Sequence, residues 1–265
     1  MKLVGVLAVI ALVAASTAAA ASAPVSFVWP TSVAVQPDGS LLVVENGLQR
    51  LVRVSPSGQV TTVAALSRPY AVQRARSGSI VVTNGGSLLR IDGAKPPVTV
   101  ARVAGDIGPI ALARNGDAYF TTETALWRLP AGTRLPVRLV PKTVLSGPHG
   151  IAVARDGSVL VADTGNHRIV LVSPARGKVT VFARLANPRG LAVPADGTVD
   201  VVDAAAKRIL HLSAAGKRLG YVSPTFGDPY ALALAPGGVI YVVDTAQTGY
   251  IRRVARDGTA TTVSG

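Results

Sequence analysis

Past residue 23 the chain is a succession of short apolar runs, broken at regular intervals by glycine, proline and aspartate. The stretch from Gly147 to Ala183 shows the pattern best. Its apolar runs are 151–154, 159–162, 169–172 and 179–182, separated by Asp156-Gly157, by Thr164-Gly165-Asn166 and by the segment from Pro174 to Gly177. Runs this short and this rich in β-branched residues predict strands. Asp-Gly between two of them predicts a tight hairpin, because glycine supplies the positive φ such a turn needs. The unit therefore reads as a four-stranded antiparallel meander, a to d. Ile169-Val170-Leu171-Val172 is apolar on both faces, which predicts a strand covered on both sides; a strand with one wet face would alternate.

The unit recurs. Pro30, Pro69, Pro109, Pro148, Pro188 and Pro229 follow one another at steps of 39 to 41 residues, and Gly39, Gly78, Gly116, Gly157, Gly197 and Gly238 keep nearly the same period. Strand-rich units of about 40 residues are the signature of propeller blades. The expectation is an all-β protein: one six-bladed β-propeller over 24–265, made of four-stranded antiparallel blades that start near those prolines. Strands a line a central channel. The count leaves one difficulty: 25–28 and 259–263 both read as d strands, seven for six blades. One of them should pair outside the simple plan or lie loose.

Residues 1–23 differ in kind. Lys2 precedes an uncharged apolar run that ends at Ala15, and small residues follow to Ala21-Ser22-Ala23. This predicts a secretory signal peptide, cut after Ala21, and a secreted, periplasmic or cell-envelope protein. The chain has no cysteine, so an exported fold would be held by packing and strand pairing alone. Aromatic residues are 5% of the chain, so that packing is mainly aliphatic. Lys and Arg number 27 against 14 Asp and Glu, a formal net charge of +13. Such a protein is drawn to anionic surfaces, a cell-envelope polymer among them. No run of Lys or Arg exceeds two residues, so no specific nucleic-acid partner is expected, and the chain is expected to be a monomer.

The fourth unit resembles the NHL repeat, through Pro148-His149-Gly150-Ile151-Ala152-Val153, Asp156-Gly157, and Val161-Ala162-Asp163-Thr164-Gly165-Asn166-His167-Arg168-Ile169. The resemblance extends through all six units and weakens away from the fourth; units two and three lack the Asp and the Arg-Ile step. It implies the propeller fold, and a family whose members include sensor domains, interaction modules and a few enzymes. The end-of-b aspartate belongs to that repeat pattern. This implies a structural role for Asp163, Asp203 and Asp244, accepting hydrogen bonds from the b–c loop and from an arginine such as Arg168 or Arg208.

Pairing across the Asp-Gly turn, centred between 156 and 157, sets His149 opposite Thr164 and Asp163 opposite Gly150. The same arithmetic sets Arg189 beside Asp203, Tyr230 beside Asp244 and Thr31 beside Glu45. One end of the propeller then carries a ring of post-proline residues, Thr31, Tyr70, Ile110, His149, Arg189 and Tyr230. A second ring, Glu45, Asn84, Thr122, Asp163, Asp203 and Asp244, stands one strand further out. Mouths of this kind gather functional groups. Tyr70, His149, Arg189 and Tyr230 are the candidate ligand-binding residues, suited to a protein or a small polar ligand. Strand c carries Arg53, Arg90, Arg128 and Arg253 at one repeat position, expected to pack their stems along the blades.

Chemistry beyond binding is thin. The fold relationship to gluconolactonase-like propellers implies a metal-dependent hydrolase held by a Glu near the first blade with Asn and Asp at the axis. Here the first unit begins Trp29-Pro30-Thr31-Ser32, without an acid. One post-proline position of six is histidine, and a catalytic metal usually takes three protein ligands. No cofactor and no catalytic residue is assigned; Ca²⁺ near Glu45, Asp163, Asp203 or Asp244 is the one ion the acids suggest, without a loop motif to support it. Tyr119-Phe120-Thr121-Thr122-Glu123 is similar to repeats of streptogramin lyases. The reading is an exported binding or interaction scaffold working through its channel mouth; the alternative is a lactonase-like hydrolase or a streptogramin-lyase-like enzyme.

Overall fold

The computed structural model describes residues 23–246 and 248–263. The expected signal segment lies outside the described residues except for its last position.

The described residues form six antiparallel sheets, each built on a meander in chain order, the sixth joined by a strand from the start of the chain. Strands a are Pro30–Val35, Pro69–Arg74, Ile110–Leu112, Gly150–Val153, Pro188–Ala192 and Pro229–Leu234. Each a strand touches the next, and the sixth touches the first, so they close a ring around the axis. The molecule is a six-bladed β-propeller. Its helical content among the described residues is two three-residue 3₁₀ turns, Thr164–Asn166 and Pro236–Gly238.

Burial is greatest in strands b and falls toward the rim. Every residue of Leu41–Glu45, Val159–Asp163 and Val199–Asp203, three of the b strands, is buried. On the rim, Val60–Ala65 has no buried residue. Strands b are covered on both sides because blades stack face to face. Six apolar clusters result, one for each interface. In blade four, Val159, Val161, Val170 and Val172 pack toward blade three, whereas Leu160, Ala162 and Ile169 pack toward blade five. The alternation of strand side chains feeds two cores at once.

The surplus d strand has a different fate from either one expected. Ser26–Phe27 pairs with Tyr250 and Gly249, and Ala260–Thr262 pairs with Arg252 to Val254, on the same edge of Gly249–Val254. The two terminal strands lie end to end and share one d position, and the Val25 amide donates to the Val263 carbonyl (3.0 Å). A short strand from each end of the chain locks the ring shut and covers the edge of the sixth blade.

Two register details shape the mouth. The a–b loops have three residues. In blade four, Ala154 N donates to Ser158 O (2.8 Å), with Gly157 left-handed at φ 85°. Gly150 therefore faces Ala162, one residue away from the expected partner Asp163. In blades one, two, five and six a bulge follows the proline: Pro30 faces Glu45 but Ser32 faces Val44, and Pro229 faces Asp244 but Ala231 faces Val243. Thr31 and Tyr230 are the extra residues, and they do not face Glu45 and Asp244 as expected; in blade five Pro188, not Arg189, faces Asp203. Proline cannot donate to the ladder, which suits the start of a strand, and a bulge re-aims the side chain it frees.

Candidate functional site

The four candidate residues belong to blades two, four, five and six, and the structure brings them together. Tyr230 is their hub. Its hydroxyl lies 2.6 Å from that of Tyr70. Its ring meets the Tyr70 ring edge-on, with centroids 6.2 Å apart, and the His149 ring at 5.8 Å and 85°. The Arg189 guanidinium carbon stands 5.3 Å from the Tyr230 ring centroid, a cation–π distance. Thr31 adds its hydroxyl to the Tyr70 carbonyl (2.6 Å). Ile110, buried at 3% exposure, supplies apolar packing. Blades two and six are thus bridged over blade one by phenol groups.

The cluster is an aromatic plate across one end of the propeller. The channel, a cavity of about 270 Å³, is lined instead by the far halves of the a strands, among them Val35, Arg74, Leu112, Val153 and Leu234.

The plate's electrostatics follow from its burial. Burial pushes the Tyr70 phenol well above its ordinary range, helped by the neighbouring Tyr230 hydroxyl and opposed by Arg189. Burial also raises Tyr230, while its bond with Tyr70 and the charge of Arg189 pull the other way. Burial lowers His149; the Gly147 carbonyl nearby opposes this, and Arg189 adds to it. The imidazole is therefore neutral at neutral pH. Its Nδ1 is buried, and no protein group meets it with hydrogen-bonding geometry. A buried polar atom left without a partner costs about 1–3 kcal/mol, so it marks a place where a partner is wanted.

Arg189 is held by a residue that the pattern of rings does not contain. Its Nη1 donates to Asp228 Oδ1 (2.7 Å) and to the Pro229 carbonyl (3.2 Å), and Thr245 Oγ1 donates to Asp228 Oδ2 (2.9 Å). The signal was present as an acid directly before the proline of unit six, in Asp228-Pro229-Tyr230.

The end-of-b acids Asp163, Asp203 and Asp244 take the structural role the repeat pattern implies, and Glu45 shares it. Glu45, Asp163, Asp203 and Asp244 have side-chain exposures of 2%, 0%, 8% and 3%. They tie the linker ahead of strand a, or the b–c loop, to an arginine. Glu45 accepts from Val28 N (2.8 Å) and Arg50 Nε (2.6 Å). Asp163 accepts from Ser146 N (2.8 Å), Asn166 Nδ2 (2.9 Å) and Arg168 Nε (2.7 Å). Asp244 accepts from Gly227 N, Asp228 N and Arg252 Nε. Asp203 accepts from Ala206 N, Tyr221 and Arg218. Arg208 instead donates to the Ser223 carbonyl (3.1 Å). Asn84 fills the same place in blade two, accepting from Ser67 N and Arg68 N. Thr122 lies just beyond its strand and receives the Trp127 indole N–H.

A family model of the NHL repeat matches residues 145–170, the unit that carries Pro148, His149 and Asp163. The chain thus contains an NHL repeat in its fourth blade. Its fold is shared with solved propellers. A gluconolactonase from Xanthomonas campestris superposes with a TM-score of 0.75, 17% identity and 87% of each chain covered. A calcium-binding protein, regucalcin, from Agrobacterium tumefaciens has a TM-score of 0.71, 14% identity, and 85% of this chain and 86% of that one covered. A catalytically inactive histidine-to-alanine variant of virginiamycin B lyase from Staphylococcus aureus, with quinupristin, has a TM-score of 0.68, 18% identity, and 83% and 78% covered. No curated protein matches the sequence.

Proposed function

We propose that this chain is an exported binding module that docks a polar ligand or a partner segment on the plate formed by Tyr70, His149, Arg189 and Tyr230. The observation that carries this reading is the convergence of the four on one ring, with a buried, unpartnered His149 Nδ1 among them. An anionic group of the ligand would share Arg189 with Asp228. A plate suits recognition across a surface.

A second reading, catalysis, draws on the fold shared with a gluconolactonase and a lyase and on the single mouth histidine, held neutral as a general base would be. Calcium does not fit the residues first considered for it. Among the described residues no three His, Cys, Asp or Glu side chains stand close enough to hold a metal ion, and each candidate acid already accepts from an arginine and from backbone amides.

The test is a thermal-shift and calorimetric screen of polyols, sugar acids and lactones against the purified protein and against His149→Ala with Arg189→Ala. The expected result is binding that the double variant loses. Unchanged affinity would move the site off the plate. Turnover of glucono-δ-lactone that depends on His149 would favour the catalytic reading.

A further inference from the structure

At the end of the molecule opposite the plate, blades two and three part to leave a groove of about 750 Å³. Its floor is aliphatic, with Leu88 and Leu129 at its base. Five arginines line it: Arg74 at the end of strand a of blade two, Arg76 from the a–b turn that follows, Arg90 from strand c of the same blade, Arg114 from the a–b turn of blade three, and Arg134 from its c–d loop. No carboxylate lines it. Arg90 is neutralised by Asp92 (2.8 Å). Arg74, Arg76, Arg114 and Arg134 have no acidic partner among the described residues.

Three of the four strand-c arginines differ in having their charges answered, Arg253 being the exception. Arg53 pairs with Asp38 and Arg128 with Asp117, as Arg90 does with Asp92. Four like charges left unanswered around one cavity repel one another, and nothing in the fold requires them, since three of the four are exposed. Guanidinium forks bind oxyanions in pairs of hydrogen bonds. The arginines are spread from the axial turn out to the c–d loop, so they match several anionic groups in a row better than a single one. The groove contains no Phe, Tyr or Trp, and so offers no surface on which nucleobases could stack.

We propose that this groove is a second binding site, for a linear, base-free polyanion whose phosphate or carboxylate groups are spaced along a chain. It is independent of the plate and of whatever the plate binds.

Titration calorimetry at low and moderate salt tests the site, with tripolyphosphate, trigalacturonate and a single-stranded oligothymidylate as probes. Arg74→Gln with Arg114→Gln removes two groove charges. Arg176→Gln with Arg184→Gln removes two exposed charges from blade four and serves as the control, with thermal melts to show that both variants fold. Binding of tripolyphosphate or trigalacturonate should weaken at least about tenfold in the groove variant, since each charge-assisted bond carries about that factor. It should change less than about twofold in the control. Tighter binding by tripolyphosphate assigns phosphate as the repeating group, and by trigalacturonate, carboxylate; either supports the site. Equal weakening in both variants, no binding by either polyanion, or tighter binding by oligothymidylate than by both would overturn it.

Discussion

Tyr230 holds together side chains from four blades, and its hydroxyl does so through one bond. Replacing it with phenylalanine keeps the ring contacts with His149 and Arg189 but leaves the buried Tyr70 hydroxyl without its partner. The expected cost is about 1–3 kcal/mol, read as a lowered midpoint in denaturant unfolding. The three titratable groups of the plate give it two pH limits. Folding raises both phenols above their ordinary 10.0, so the stability this reflects is full below that value and is lost as pH rises through the folded ones. Folding lowers His149 below its ordinary 6.5, so its contribution is present above 6.5 and is lost as pH falls through the folded value. Melting curves from pH 4 to 7 should fall more steeply for the natural chain than for His149→Phe; parallel curves would remove His149 from the acid limit. The sequence disclosed these residues through their position, since a side chain directly after a blade-opening proline has one place to go. It did not disclose that the phenols would bond to each other, because that depends on the diameter of a ring closed by six separate units.

At the scale of strands, the sharpest constraint is how closely neighbouring a strands approach at the axis. A Cβ on Gly150 would lie 2.2 Å from the Arg189 carbonyl oxygen, and one on Gly190 2.8 Å from Ala231 Cα. Gly150→Ala must therefore force blades four and five apart, at a cost of about 1–3 kcal/mol, and it should disturb the Arg189 environment as well. Chemical unfolding measures the first effect. Fluorescence of the nearby tyrosines measures the second, and an unchanged midpoint would show that the ring has slack. The period of the blades was legible because each three-residue turn needs a left-handed glycine, and that requirement writes itself into sequence every 40 residues or so. The register near the mouth was not, because a bulge leaves the alternation on either side intact. The acids were legible in part: the repeat pattern implies that Asp163 accepts from the b–c loop and Arg168, as it does, but not that it also holds the linker ahead of strand a. That contact comes from an amide 16 or 17 residues earlier, as with Ser146 and Asp163.

The whole molecule is closed by its two ends, and this limits how it can be processed. Ser26–Phe27 covers part of the last blade's edge, and Val25 bonds to Val263. Phe27 is 3% exposed and packs in the core between blades six and one. The proposed export therefore requires a cut before Val25, since a later one would remove part of the closing strand. The cut expected after Ala21, among the small residues Ala21-Ser22-Ala23, meets that requirement. Expression in a secreting host should yield a protein whose intact mass corresponds to a start at Ser22 or Pro24, and recovery of the Met1 form outside the cell would refute export by this route. A form engineered to begin at Val28 supplies the complementary measurement. It keeps every residue of the plate and of the groove, but it bares the start of the Gly249–Val254 edge and leaves Gly249 and Tyr250 unpaired. It should melt at a lower temperature and self-associate through the bare edge, detected by light scattering. If it stays monomeric with an unchanged melt, the C-terminal strand alone closes the propeller.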